Sequence, residues 1–421
     1  MSNNYTDKQR MEMAEQEYHS YKESDPVKIG REKNKIGYVS KSNDKPTGEQ
    51  SYIVTDINVP DTASLTEREK VKEVTVLYRG STAPTLKNVL DKNHKEHYDV
   101  VKDWIYNDAP TAVQVANGGG AVAMPQLQSS AETLKNAMKL YPNAQVFVYG
   151  HSLGSMNAQY AIADLSDKDS SRIDGGFFYQ GPNVYSILTP AQRATADALN
   201  KLNILFNYVD PKDLVPIGYG SGKPTVGSLI KVNSKKVGLI DQHMWGGYEF
   251  NKDGSIKATK EGSLQLAKYM VTQQLSAIEM MRKKLMKSGG GLSSSEEIFL
   301  DASEAMAITK GMKQTISGEI TELKQMYKEG IKNAGDLWKT TKSNAEGTGQ
   351  HLSYGECLDA LDRGNVTESN TVREPVHEYE EKLAKVTKIS RNYDELLQKI
   401  GESITKQLET DQELANQIRS M

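Results

Sequence analysis

Between about residue 50 and residue 256, short runs of β-branched and aromatic residues alternate with stretches whose apolar positions recur every three or four residues. The first kind predicts strands, the second predicts helices, and their alternation predicts an α/β sheet. YIVTDINV at 52–59 and EVTVLY at 73–78 are the first strands of the pattern. A helix with Leu127, Leu134, Ala137 and Met138 on its apolar side leads into AQVFVYG at 144–150, whose nearly continuous apolar content marks a strand buried on both faces. Another helix begins just after it. GGFFYQG at 175–181 and NILFNYV at 203–209 supply further strands, and the helix between them opens at Pro190, a first-turn position where no N–H is needed.

Beyond Gly254 the pattern changes to Lys-, Glu- and Gln-rich text with helical spacing throughout. Leu264, Ala267, Val271, Leu275 and Ile278 fall three or four apart, and KSGGGLSSSEE at 287–297 then reads as a flexible break, with Ser294 or Ser295 as the cap of the next helix. From Ala305 through Ile308, Met312, Ile316, Ile320, Leu323, Tyr327, Ile331 and Ala334 to Trp338, one apolar stripe persists for about nine turns. SNAEGTGQHLSYGE reads as a loop, after which Val376, Tyr379, Leu383, Val386, Ile389, Tyr393, Leu397, Ile400, Ile404 and Leu408 repeat the spacing. Two long amphipathic helices joined by a loop predict a hairpin; one stripe each leaves room for further helical partners, and a self-contained coiled coil is the alternative. The chain thus divides into a polar, helix-prone extension over 1–48, an α/β domain over 49–256 and a helical hairpin domain over 257–421.

Length agrees with that division, since 421 residues exceed what one core usually holds. A net charge of −3, from 52 basic and 55 acidic residues, gives no global electrostatic ground for a nucleic-acid partner or for an acidic membrane surface. Any lipid encounter must be local. The single cysteine, Cys357, cannot form an internal disulfide and reads as an inert thiol. The opening MSNNYTDKQRMEMAEQEYHSYKES holds no apolar run long enough for a signal-peptide core or a membrane span, so the expectation is that any export uses a route other than Sec.

Gly150-His151-Ser152-Leu153-Gly154 has the form G-x-S-x-G. Two glycines and a serine at these offsets arise by chance in about one chain in seven of this length, so placement matters more than the pattern. Here the motif follows a buried strand and precedes a helix, where small residues permit the sharp turn that lifts a serine hydroxyl clear of the sheet. The helix start aims its positive end at developing negative charge, and Leu153 offers a backbone N–H to an oxyanion. Partners for Ser152 should follow in the order acid, then histidine. Asp210 and Asp213 in NYVDPKDLVPIG compete for the acid, with Asp210 beside Pro211 also suiting a surface turn. Of seven histidines, His243 in DQHMWGGYEF alone follows both and still precedes the helical half, which makes it the candidate base. His151 shapes the turn; His94 and His97 could pair on a metal at helical spacing but lack a third ligand; His19, His351 and His377 read as surface residues. A second oxyanion donor belongs on a loop after an earlier strand, where Tyr78-Arg79-Gly80-Ser81-Thr82 offers the N–H and hydroxyl of Ser81 or else an ordinary polar turn. The chemistry needs neither a metal nor an organic cofactor.

With RGST after a strand, GHSLG after a central strand, DLVP and then a late histidine, residues 50–256 resemble the fungal-type class 3 lipases of the α/β-hydrolase fold. That resemblance implies Ser152, Asp213 and His243 as the triad, Asp213 being preferred to Asp210 because D-x-V-P is how this loop reads in the family. It implies Ser81 and Leu153 as the oxyanion hole, and a lid over Ala83–Pro110, a segment that also suits an ordinary amphipathic helix packed on the sheet. The substrate it implies is an acyl ester of a membrane glycerolipid, with phospholipase A-type cleavage. A lipase domain followed by a helical hairpin, without a signal peptide, further resembles the staphylococcal type VII secreted lipase toxins, whose LXG-like targeting domain lies at the C-terminus. The implications are an antibacterial effector, cytoplasmic before export by a type VII-like route, two small helical partner proteins on the C-terminal domain, a phospholipid membrane as target, and an immunity protein. A thioesterase or peptidase using the same residues, a cytosolic lipid-remodelling esterase with an oligomerising tail, and a non-catalytic helical adaptor are the competing readings.

Overall fold

A computed structural model of the chain describes residues 5–80, 125–220, 222–289 and 292–420. They fall into two compact units, one ending at Tyr269 and one beginning at Met270. Among the described residues of the first, eight strands form one mixed sheet in the spatial order of the chain: β1 Pro26–Ile29, β2 Asn34–Asp44, β3 Gln50–Thr55, β4 Glu73–Tyr78, β5 Gln145–His151, β6 Ile173–Tyr179, β7 Leu205–Val209 and β8 Ser228–Lys231. β1 to β4 pair antiparallel and β4 to β8 parallel. The described α-helices lying wholly in this unit are α1 Asp7–Glu15, α2 Leu65–Arg68, α3 Pro125–Leu140, α4 Leu153–Ala163, α5 Asp167–Ser170, α6 Pro190–Lys201 and α7 Leu239–His243.

Parallel neighbours require crossovers, and α4 and α6 carry the chain from β5 to β6 and from β6 to β7. Both faces of the sheet are covered, as one strand shows. A side chain at Gly176 would meet Ile162 of α4, whereas the next residue, Phe177, lies beneath the Arg10 guanidinium of α1 at 4.8 Å. β5 accordingly buries every residue from Val146 to His151, and α4 buries every residue from Gly154 to Ala163.

The extension over 1–48 is not simply helical. After α1 and a 3₁₀ turn at Gln16–Tyr18, the chain forms β1 and β2 and completes the antiparallel side of the sheet. A bulge between Val39 and Lys41 shifts the register of β2, so Gly37, Val39 and Ser40 are buried instead of every second residue. That irregularity erases the two-residue period by which strands are read. The edge strand β8 also went unpredicted, because SLIK is too short to show a period.

The second unit takes the remainder of α8 (Lys260–Gly289), then α9 Ser294–Thr348, α10 Tyr354–Arg363 and α11 Glu374–Ser420. α9 and α11 pack along one another, and Gly330 admits the Tyr379 ring, which would lie 2.8 Å from any Cβ there. Arg282 of α8 reaches Glu304 of α9 at 2.7 Å. The cap of α9 is Ser293, not Ser294 or Ser295: Glu296 N–H donates to its hydroxyl at 3.3 Å while the Glu296 carboxylate accepts from Ser293 N–H at 2.8 Å. The loop between the long helices is also shorter than the composition of SNAEGTGQHLSYGE predicts. α9 runs on to Thr348 and α10 starts at Tyr354, because buried Cys357 of α10 packs on the end of α9. No helix among the described residues is long and apolar enough to cross a membrane.

Candidate active site

The site lies at the C-terminal ends of the parallel strands, where open α/β sheets bring loops from several strands together. β5 ends at His151 and α4 starts at Leu153, so the whole strand-to-helix reversal falls on Ser152, at φ 55° and ψ −124°. A non-glycine residue held there is strained by ~1–3 kcal/mol, and the surroundings impose it. Ser152 N–H donates to Tyr179 C=O of β6 at 2.9 Å, and Ser155 N–H donates to Ser152 C=O at 3.0 Å. The flanking glycines permit the crossing: a Cβ on Gly154 would collide with the Tyr78 carbonyl of β4, and one on Gly150 with the Gly154 carbonyl. Leu153, the first helical residue, has an N–H with no carbonyl of its own helix to bond.

Asp213 stands beyond the end of β7, in a turn closed by Asp213 N–H donating to Asp210 C=O at 3.1 Å. His243 ends α7. Its Nδ1 lies 2.8 Å from Asp213 Oδ2 and its Nε2 3.0 Å from Ser152 Oγ. Since a carboxylate only accepts, Nδ1 carries the hydrogen and Nε2 is left to take one from the serine. Ser152, Asp213 and His243 are 5%, 7% and 6% exposed, so the chain of hydrogen bonds is shielded from competing water. The geometry separates the two aspartates. Fully buried Asp210 accepts from Ser234 Oγ at 2.7 Å, from Lys212 N–H at 2.9 Å and from the Gln242 amide, and Asp210 N–H in turn donates to Gln180 Oε1 at 2.8 Å. Asp210 therefore ties the loops that carry Asp213 and His243 together without touching the imidazole.

His151 makes its own contribution beside the serine. Its Nε2 lies 2.8 Å from His243 C=O, which can only accept, so Nε2 bears the hydrogen and Nδ1 accepts from Tyr18 O–H at 2.6 Å. Burial, and after it the neighbouring His243, hold His151 well below the usual imidazole range, so it stays neutral and orients the backbone of His243. The Trp245 ring lies against it, tilted by 43°, at 4.1 Å between ring centroids.

Two residues of the 3₁₀ turn after α1 were not legible as site residues. Tyr18 reaches His151, and Glu17, fully buried, accepts from Gly80 N–H and from His151 N–H, both at 3.2 Å. Burial pushes the Glu17 carboxyl well above the usual range, against the opposing pull of these two amides, the Tyr18 hydroxyl and Arg79. No local spacing could have found either residue, because their partners lie 133 and 134 positions away in β5. Ser81, the expected second oxyanion donor, lies outside the described residues, as do the expected lid over Ala83–Pro110 and the pair His94 and His97. His19, His351 and His377 are exposed.

A mixed sheet whose central strand ends in a strained serine, with a buried aspartate and a histidine delivered from later in the chain, defines the class: a serine-type α/β-hydrolase. Within that class, residues 75–218 match the family model of the class 3 lipases. The matched segment forms a class 3 lipase domain from β4 through β7 and includes Ser152 and Asp213, with His243 beyond its end and Glu17 before its start. No curated protein matches the chain. The fold is thus a mixed α/β sheet domain typical of class 3 lipases, followed by the long helices α8, α9 and α11 packed together.

Proposed function

We propose that the protein hydrolyses acyl esters of membrane glycerolipids, in the manner of a phospholipase A, with Ser152 as nucleophile. The observation that carries this reading is the unbroken chain from Ser152 Oγ through His243 to Asp213 at 3.0 and 2.8 Å. His243 Nε2 takes the Ser152 proton as Oγ attacks the acyl carbonyl, and Asp213 holds the imidazolium that forms. The tetrahedral oxyanion accepts from Leu153 N–H and from Ser81. His243 then returns the proton to the departing lysolipid oxygen, leaving an acyl-serine; a water, deprotonated by the same nitrogen, releases the fatty acid and restores Ser152. The match to class 3 lipases supports an ester as substrate.

The helical region suits the further reading of a type VII-like effector, exported by a non-Sec route, with two small helical proteins bound to the hairpin and an immunity protein in the producer. Its support is the order of the parts, a lipase domain first and long packed helices after it. The test of the catalytic reading is fatty-acid release from phosphatidylglycerol or phosphatidylcholine vesicles, beside Ser152→Ala. Release by the parent and a loss of about 10⁴-fold or more in the variant are expected; equal release by both would remove Ser152 from the reaction.

A further inference from the structure

The residue before the nucleophile and the residue before the expected oxyanion donor share one hydrogen-bond acceptor. His151 precedes Ser152, Gly80 precedes Ser81, and the N–H of each donates to Glu17 Oε1 at 3.2 Å. These amides sit just past the last registered pair of β4 and β5, Tyr78 with Gly150, where the ladder no longer supplies acceptors. Both bonds are buried, and a buried amide left without an acceptor is destabilising. The two backbones are also close enough to matter for the site. A Cβ on Gly80 would lie 3.2 Å from Ser152 Cβ and 2.8 Å from His151 C=O. An oxygen with two lone pairs facing two amides fixes their separation as well as their direction. Tyr18, next in sequence, holds His151 from its ring side through Nδ1 at 2.6 Å, so one turn grips the elbow at two points.

We propose that Glu17 is a positioning residue for this site, its Oε1 clamping the Gly80 and His151 amides so that the backbone just past β4 and the nucleophile elbow keep a fixed spacing. The proposal rests on Ser152 being the nucleophile. What sets it apart is origin: the clamp comes from the N-terminal turn, outside the segment that matches class 3 lipases. A neutral carboxyl and a carboxamide present the same acceptor oxygen in the same place, whereas a thioether of equal length presents none.

Full-length protein, Glu17→Gln, Glu17→Met and Ser152→Ala would be compared for turnover of p-nitrophenyl butyrate and for the rate of inactivation by a p-nitrophenyl alkylphosphonate, with folding followed by circular dichroism. Glu17→Gln is expected within about threefold of the parent. Glu17→Met is expected to lose about 30- to 100-fold in kcat with KM little changed, and to react with the phosphonate correspondingly slowly, as for an ångström-scale misplacement of catalytic groups. A folded Glu17→Met within about threefold of the parent, or a Glu17→Gln as impaired as Glu17→Met, overturns the clamp. Should Glu17→Met not fold, hydrogen exchange in the parent decides: slow exchange at the Gly80 and His151 amides supports the clamp, and exchange as fast as in an exposed loop overturns it. A parent inert to the phosphonate would instead sink the assignment of Ser152, and Ser152→Ala sets that baseline.

Discussion

β5, β6 and β7 bury nearly every side chain they carry, whereas α9, with 55 residues, buries Leu300, Ala302, Ala307, Gly311 and Ala334 and leaves Phe299, Met306, Ile308 and Met312 substantially exposed. The polar groups follow the same division. At the candidate site of the sheet unit, aspartate, glutamate and histidine are buried and joined by directed hydrogen bonds; in the helical unit several ion pairs, such as Lys382 with Glu378 and His377 with Glu381, join exposed side chains one turn apart. Exposed pairs of this kind contribute little to stability. The difference shows where each region draws its specificity. The sheet unit holds a few groups at fixed distances by enclosing them, which chemistry requires, while the helical unit presents length and an apolar stripe.

The strongest way to break this comparison is inside the enclosed site. Asp213→Asn should lower kcat by about 10⁴-fold, because an amide facing Nδ1 no longer fixes the imidazole tautomer. Asp210→Asn should leave kcat within about tenfold and cost about 2 kcal/mol in thermal unfolding, through weaker bonds to Ser234 and Gln242. Steady-state kinetics with a soluble ester would distinguish the two, and equal kinetic losses would mean that the loops, not the imidazole, depend on both. Next in size is the helical unit's own core: Leu300→Ala, at a residue with no exposure, should destabilise that unit by about 3 kcal/mol in urea unfolding without changing kcat.

A smaller effect comes from pH. The folded-state pKa of Glu17 is raised above its ordinary 4.5 by burial, so the native protein holds a proton that the unfolded chain releases. Stability from this group is full below that value and declines as pH rises toward the raised one. The Tm advantage of Glu17→Gln over the parent should therefore widen between pH 4.5 and pH 8; a constant difference would mean that Glu17 is ionised in the folded protein. Smallest of all, a chain ending at residue 289 should keep kcat on a soluble ester within about twofold, since Ser152, Asp213 and His243 all lie in a unit with its own core. A loss beyond tenfold would show that the helical unit supports the chemistry.

Much of the sheet was legible because β4, β5, β6 and β7 are runs such as EVTVLY and QVFVYGH, whose composition leaves few alternatives, and because the elbow is a local turn that needs glycine at two fixed places. The placing of His243 by chain order was legible as well, although α7 was read as loop. What escaped was set by contacts distant in sequence. The bulge in β2 hides its period, the separate duties of Asp210 and Asp213 are decided by Ser234 and Gln242, and Glu17 and Tyr18 look like any polar helix end until β5 is laid beside them. α9 was underestimated because Gly347 and Thr348 argue locally for a loop while Cys357 holds the last turn from outside.

The reach of Glu17 across the sheet has a consequence for how the protein is made. Its partners Gly80 and His151 stand 63 and 134 residues further along the chain, and the imidazole of His243 comes 91 residues after Ser152. The last described strand, β8, ends at Lys231, so a chain growing toward its C-terminal side has every described strand before it has His243. A growing chain thus holds the serine and the aspartate before the imidazole, and the contacts of Glu17 close only across large separations in sequence.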